Sequence, residues 1–130
     1  YRVVWHDGEA WHIRQVSDRK TPFSLRGGGT KMIPIARPRI VVHKERAYYI
    51  FRDQERGGKV SVAYTPSIST GKWSVTDLTD FSVDAWAPSH TELWKHKHRL
   101  HLFVQRTGQG DGERTVELAP QSVYVLEVNN

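Results

Sequence analysis

Apolar and polar residues alternate in short runs along the chain, and clusters of Gly, Pro, Asp and Ser separate the runs. Val60, Val62 and Tyr64 form one row of alternating apolar positions, and Leu100, Leu102 and Val104 form another. Such alternation is typical of strands with one buried face. No run combines helical spacing of apolar residues with capping residues around it. The pattern therefore predicts an all-β chain.

The predicted strands share β-branched and aromatic residues bounded by turn-forming residues. They cover residues 1–5, 11–16, 39–43, 47–52, 59–64, 73–78, 92–94, 100–106 and 122–128.

Two internal repeats relate these strands to one another. Residues 11–18 and 73–80 share the pattern Trp-x-apolar-x-x-apolar-Ser/Thr-Asp, and residues 40–52 resemble residues 93–105 more loosely. The spacing of both repeats corresponds to a unit of four strands. Four-stranded units that recur in this way are typical of β-propeller blades, which bury their faces against one another.

The repeat assigns the strands to blades. Residues 1–18 supply the two outer strands of one blade, residues 39–80 a complete blade, and residues 92–128 the three inner strands of a closing blade. Residues 1–130 then form the C-terminal part of one propeller domain, about two and a half blades of the at least four that closure needs. The N-terminal remainder of the propeller would complete the last blade. If the 130 residues are the whole polypeptide, several copies must assemble, or the fold is a small β-sandwich with chance repetition.

The composition of the chain favours one class of partner but does not identify a particular partner. The net charge is +5 and the isoelectric point is near 9.7, which favours anionic partners: nucleic acid, an acidic polysaccharide or a phosphorylated surface. Nucleic acid ranks last, because no recognisable binding module accompanies the charge. No apolar run approaches the roughly 20 residues of a membrane span, and no signal peptide is recognisable. The absence of cysteine excludes disulfides and thiolate zinc sites.

Residues 67–73 read as a degenerate Asp box, the hairpin motif Ser-x-Asp-x-Gly-x-Thr-Trp of sialidase-type blades, with Ser69 in place of Asp and one residue missing. In that motif Gly71 would supply a turn with positive φ and Trp73 would cover the outer edge of the blade. Together with segments 26–38, 48–53, 92–94 and 102–106, the chain resembles the C-terminal portion of BNR-repeat propellers. That group includes ulvan-type polysaccharide lyases and rhamnosidases acting where rhamnose is linked to glucuronate.

The resemblance implies a seven-bladed propeller in a secreted or periplasmic bacterial enzyme that acts on an acidic glycan. The reaction would be β-elimination by a lyase; the alternatives are hydrolysis by an α-L-rhamnosidase and glycan binding without catalysis. The catalytic His and Tyr residues of the family lie mostly in earlier blades, so none is carried onto this chain. No cofactor is evident in this segment, and a structural metal elsewhere in the full-length protein is left open.

Arginine is the residue type suited to a uronate, because its planar fork binds a carboxylate through two hydrogen bonds and keeps its charge. Arg37 and Arg39 flank a proline at the entrance to an innermost strand, and Arg52 and Arg106 occupy nearly matching positions in two blades. Arg39 is the first candidate for uronate contact. The alternative for each arginine is a salt bridge between blades or a solvated charge.

Two further candidates lie in the segment that leads into the last blade. His90 is a candidate acid, base or ligand contact, with an ordinary loop histidine as the alternative. Trp86 could stack on a sugar ring or belong to the core.

The other motifs in the sequence do not predict a metal-binding, phosphate-binding or catalytic site. His96, His98 and His101 have zinc-like spacing, but His96 and His98 fall in a predicted tight turn among Lys95, Lys97 and Arg99, which disfavours a cation. The glycines at 27–29 lack the residues of a phosphate loop, and segment 108–112 lacks the ligands of a calcium loop. Asp53, Glu55, Asp77 and Asp80 are interpreted as surface carboxylates.

Overall fold

The structure, a computed structural model, describes residues 1–27, 29, 31–90, 93–97, 99–110, 112 and 116–128. Over these residues the chain is mostly β-structure in antiparallel sheets, as the alternation predicts. In the described part of the chain no helix is long and apolar enough to cross a membrane.

Eight strands, one short α-helix and one 3-10 turn make up the regular structure of the described residues. The strands are β1 (Arg2–His6), β2 (Trp11–Gln15), β3 (Arg39–His43), β4 (Arg46–Arg52), β5 (Val60–Thr65), β6 (Ser74–Asp77), β7 (Leu100–Val104) and β8 (Tyr124–Val128), the helix is α1 (Leu93–Lys97), and the 3-10 turn is Gln54–Arg56.

These strands form three separate sheets. The first sheet pairs β1 with β2, the middle sheet has the order β3-β4-β5-β6, and the last sheet pairs β7 with β8. All strand pairs are antiparallel between neighbours in sequence. The middle sheet is the four-stranded unit that the repeat predicts for residues 39–80.

The central strands of the middle sheet, β4 and β5, are buried on both faces, which stacks the three sheets in layers. Tyr49 and Phe51 of β4 pack with Val3 and Val16 of the first sheet region in one core. Tyr48 and Ile50, which alternate with them along β4, pack against the last sheet in a second core. Alternate side chains of one strand therefore enter different cores, because they point to opposite faces of the sheet.

The prediction of a strand at residues 92–94 is wrong for Leu93 and Trp94, which belong to the helix α1 (Leu93–Lys97). Glu92 lies outside the described residues. The free edge of β7 is instead lined by segment 83–90. Thr107 donates its backbone N–H to Val83 and accepts one from Ala85, and His90 forms an isolated bridge with Leu102. An irregular segment thus takes the position expected of a third strand.

Residues 67–73, interpreted from the sequence as a degenerate Asp box, lie in the turn between β5 and β6. Gly71 adopts a φ of 68°, which a residue with a side chain reaches only with strain. Trp73 packs at the margin of the core between the first and middle sheets. In the adjacent β3–β4 turn, Glu45 Oε2 accepts hydrogen bonds from the Ser69 N–H at 3.4 Å and the Ser69 hydroxyl at 3.1 Å. A carboxylate from one turn therefore holds the other turn.

Three tyrosines of the two cores have raised pKa values, which makes the fold sensitive to alkali. Burial is the largest cause for Tyr1, Tyr48 and Tyr49, and nearby Asp53 contributes at Tyr1. Because the folded protein holds these phenols neutral above their ordinary pKa of 10.0, their contribution to stability is complete below pH 10.0 and is lost as the pH rises above it.

We expect the urea midpoint of unfolding to fall as the pH rises above 10.0, and to fall less steeply in the variant Tyr49→Phe. Equal slopes in both proteins would contradict the assignment.

Candidate functional site

All long connections of the described chain leave the strands at one end, which we call the loop end. The connections after β2, β4 and β7 lie there, as does the start of the connection after β6, which then runs along β7. The turns β1–β2, β3–β4 and β5–β6 lie at the other end, as does α1, where the ring of Trp94 lies 6.5 Å from the ring of His43. Backbone hydrogen bonds hold these connections together, including Val83 N–H to Gly58 O at 2.8 Å. Long connections on a rigid scaffold are common positions for binding residues.

Arg52 lies at the centre of the loop end and is almost fully buried, with 4% of its surface exposed. Its Nε donates to the carbonyl of Trp86 at 3.1 Å and its Nη2 donates to the carbonyl of Ile35 at 3.1 Å. The side chain therefore ties the segment before β3 to the segment that lines β7. The Nη1 group is also buried and has no hydrogen-bond partner among the described residues.

Burial and nearby acidic groups act in opposite directions on the pKa of Arg52. Burial lowers the pKa of Arg52, while Tyr1, Asp53 and Asp84 act in the opposite direction. An arginine keeps its proton in such surroundings. The loop end therefore contains a permanent, largely dehydrated positive charge.

Arg39 and Arg106 approach the same layer from the middle and last sheets. Arg39 is the register partner of Ile50, so both side chains lie on the face of the middle sheet that meets the last sheet. Arg106 follows Val104, which points into that same core. Strand alternation therefore brings Arg39, Arg52 and Arg106 to the loop end of one layer.

The exposed arginines differ in how they are held. Arg37 and Arg39 are exposed and make no ion pair with any described residue. Arg106 is half-exposed, and its Nε donates to Asp84 Oδ2 at 2.5 Å. The ion pair fixes the orientation of Arg106, whereas Arg37 and Arg39 present uncompensated charge.

A cavity of about 460 Å³ opens beside Arg106, within the range typical of ligand sites. Its wall combines aromatic and hydrogen-bonding side chains. The lining residues are Phe81, Ser82, Arg106, Gln121, Ser122 and Tyr124. The rings of Phe81 and Tyr124 lie 5.3 Å apart, so the β6–β7 connection and the start of β8 form one wall.

Trp86 occupies the core position that the sequence left open as an alternative. It is 6% exposed, and its indole N–H donates to the carbonyl of Phe103 at 3.0 Å. Trp86 therefore closes the edge of β7 and presents no open ring face for stacking on a sugar. His90 is half-buried beside β7, opposite Leu102, in the same segment.

The interpretation of Asp53 as a surface carboxylate is wrong. Asp53 is 2% exposed and forms an ion pair with Arg19, which lies 34 positions earlier in the chain. Its Oδ1 also accepts the Glu55 N–H at 2.9 Å and so caps the 3-10 turn. Glu55 is exposed, and its pKa is lowered chiefly by a hydrogen bond from the backbone of Lys20.

The same ion pair borders a second, larger cleft that the sequence did not predict. It has a volume of about 630 Å³ and lies between the first and middle sheets. Trp73 lines it, and the indole nitrogen of Trp73 is buried without a hydrogen-bond partner in the described part of the chain. Acidic and basic side chains alternate around this cleft, namely Asp18, Arg19, Lys20, Asp53, Glu55 and Arg56. No sequence motif joins these residues.

No metal site is formed by the His, Asp and Glu side chains that the structure describes. His96 lies on α1 and His101 on β7, while His98 is outside the described residues. The turn predicted around His96 is thus a short helix.

Neither the known protein families nor the curated proteins contain a sequence that matches this chain. The resemblance to BNR-repeat propellers therefore stays a hypothesis that depends on the motifs, the strand pattern and the arrangement of the arginines.

Proposed function

We propose that this chain forms a sector of a β-propeller whose loop end binds an anionic glycan. The full-length protein would degrade a polysaccharide that contains rhamnose and glucuronate. The stack of three sheets supports the architectural part of this proposal. A four-stranded sheet that is buried on both faces by neighbouring sheets has the packing expected of a blade between two others.

The convergence of Arg39, Arg52 and Arg106 at one end of one layer is the observation that carries the functional part. A uronate carboxylate is planar and singly charged, and arginine binds such a group with directional, charge-assisted hydrogen bonds. Arg39 is exposed and has no acidic partner among the described residues, so its charge is available to a ligand. Arg52, buried and bonded to two carbonyls, would hold the arrangement in place instead of contacting the glycan.

In the lyase reaction a base removes the proton on C5, next to the uronate carboxylate. The electron pair of that C–H bond forms the C4–C5 double bond as the bond from C4 to the glycosidic oxygen breaks. An acid then protonates the departing oxygen. Arg39 would neutralise the carboxylate and stabilise the charge that develops on it. His90 is the only acid–base candidate named from this segment, and the other groups would come from other blades.

The test of this assignment compares Arg39→Ala with Lys72→Ala in the full-length protein. Lys72 is an exposed cation in the β5–β6 turn at the opposite end of the strands. We expect Arg39→Ala to weaken the binding of a glucuronate-containing oligosaccharide by about tenfold to a hundredfold, since a hydrogen bond between charged groups is worth about 1.5–3 kcal/mol. Binding of a neutral rhamnose oligosaccharide should change little, and Lys72→Ala should affect neither ligand. Equal losses on both ligands would refute the role of Arg39.

The reaction type is tested separately with the same oligosaccharide. β-Elimination leaves a C4–C5 double bond conjugated with the carboxylate. The product of a lyase therefore absorbs light near the far ultraviolet, and the rise of this absorbance is measured. Hydrolysis consumes water and gives a product without this absorbance, which would favour the rhamnosidase alternative. Binding without either product would favour a non-catalytic glycan-binding propeller.

A further inference from the structure

The larger cleft, with a volume of about 630 Å³, lies beside the last strand of each of two sheets. Its lining residues belong to the end of β2 and the segment after it, to the turn after β4, and to the region of β6. Among the described strands β2 pairs with β1 alone and β6 pairs with β5 alone. In the proposed propeller further strands would add to β1 and β8, away from this cleft, which we call the rim cleft. Its walls therefore consist of residues of the described chain.

Part of the rim cleft is apolar. Val16, Trp73 and Val75 line it, and all three also pack in the core between the first and middle sheets. Trp73 is half-buried, and the only polar atom of its side chain, the indole nitrogen, is buried. The side-chain surface that Trp73 presents to the cleft is therefore hydrocarbon. Such an aromatic surface is suited to the C–H face of a sugar ring.

The charged side chains of the lining balance one another. Three are basic and three are acidic, namely Arg19, Lys20 and Arg56 against Asp18, Asp53 and Glu55. A ligand with a single charge would be attracted by one set and repelled by the other. The rim cleft therefore favours an uncharged ligand that makes hydrogen bonds.

Ion pairs fix the two arginines and leave part of each guanidinium group unused. Arg19 donates through Nε to the carbonyl of Thr21 at 2.9 Å and through Nη1 to Asp53. Arg56 donates through Nε to Asp77 Oδ1 at 3.0 Å. Within the described part of the chain, Arg19 Nη2 and both Nη groups of Arg56 have no hydrogen-bond partner. Both side chains thus offer N–H donors at fixed positions.

Carboxylate acceptors lie next to these donors. Asp53 accepts from Arg19 and from the Glu55 N–H, and Glu55 Oε2 accepts the Lys20 N–H at 2.9 Å. Each carboxylate retains lone pairs beyond these bonds. A sugar hydroxyl donates one hydrogen bond and accepts others, so it requires an acceptor and a donor side by side. A guanidinium group paired with a carboxylate supplies both.

We propose that the rim cleft binds a neutral pyranose unit of a glycan, with the C–H face of the sugar on Trp73 and its hydroxyls on Arg19, Asp53 and Arg56. The volume exceeds that of one sugar ring, so a segment of a glycan chain also fits. The rim cleft lies on the face of the middle sheet opposite to the one that meets the last sheet. The inference is therefore independent of whether the loop end binds an anionic glycan.

The test titrates the full-length Arg39→Ala protein with the neutral methyl glycosides of rhamnose, xylose, glucose, galactose and mannose. Binding is followed by saturation-transfer NMR, and the Arg39→Ala background keeps uronate binding at the loop end out of the measurement. We expect saturable binding of at least one glycoside; binding of none would overturn the proposal. Methyl glucuronide and methyl galacturonide should bind at least about tenfold more weakly than the best neutral glycoside, because their carboxylate meets three acidic side chains. Equal or tighter binding of a uronide would overturn the assignment of a neutral ligand.

A matched pair of arginine variants locates the site. Arg56→Ala should weaken binding of the neutral glycoside about tenfold, through loss of one hydrogen bond from a charged donor. Arg99→Ala removes an exposed arginine from the last sheet region, where it lies 4.0 Å from Glu127, and should leave binding unchanged. Equal effects of the two variants would overturn the assignment to the rim cleft.

Variants of Trp73 test the contact with the sugar ring. Trp73→Phe keeps an aromatic surface and should retain binding within about threefold, whereas Trp73→Ala should abolish it. The urea midpoint of each variant shows whether it is folded. Unchanged binding by folded Trp73→Ala would overturn the proposal, and if that variant does not fold, the comparison of Arg56→Ala with Arg99→Ala decides.

Discussion

Replacement of Phe51 by alanine is expected to lower the free energy of unfolding by about 3–5 kcal/mol, a large part of the stability of a domain of this size. Phe51 is fully buried in the core between the first and middle sheets and packs against the ring of Tyr1 at 4.9 Å. Loss of the ring would leave a cavity that the rigid sheets close only in part. Urea unfolding followed by circular dichroism measures the change.

Phe103→Ala is the matched control for this prediction. Phe103 is 49% exposed on the outer face of the last sheet, where it pairs with Val125. The same atoms are removed, but little buried apolar surface is lost, so we expect a change below about 1 kcal/mol. A similar loss of stability in both variants would contradict the layered packing described above.

Asp53→Ala is expected to be the second strongly destabilising change, by about 3–5 kcal/mol at neutral pH. The substitution leaves Arg19 without its carboxylate in a site where the arginine side chain is only 14% exposed. It also removes the acceptor that caps the 3-10 turn through the Glu55 N–H. Because the ion pair is largely buried, water replaces its lost contact poorly.

Glu127→Ala tests whether burial is the cause of this effect. Glu127 is 46% exposed, and its Oε1 lies 4.0 Å from Arg99 Nε and 3.6 Å from His101 Nε2, separations long for an ion pair. Exposed pairs of this kind contribute about 0–1 kcal/mol, so the variant should remain close to the parent protein in urea. If Asp53→Ala were equally mild, the buried ion pair would have no role in holding the first and middle sheets together.

The sequence predicted the strands well because their signal is local. Alternation and turn residues indicated all eight strands that the structure describes, with boundaries that differ by at most two residues. The prediction failed at residues 92–94, where a short apolar run has too few positions to separate strand from helix. The edge of β7 that such a strand would occupy is lined by segment 83–90, held partly by the indole of Trp86.

The site residues were less predictable because their environments depend on distant segments. No local pattern indicates that Arg52 lies inside the protein, since its two carbonyl partners lie 17 and 34 positions away. Asp53 looks like any surface carboxylate until Arg19 is brought beside it. Arg37 and Arg39, in contrast, are exposed, one just before β3 and the other at its first position.

The amino-acid sequence by itself determined which residues form strands and which side chains share a face, because alternation along a strand is fixed by its local geometry. Only the tertiary structure decided which part of each face is covered. Ile40 and Tyr49 are register partners on one face of the middle sheet, yet one is 44% and the other 6% exposed. The difference arises because β1 reaches β4 and stops before β3, and the position of one sheet over another is set by packing between residues far apart in the chain.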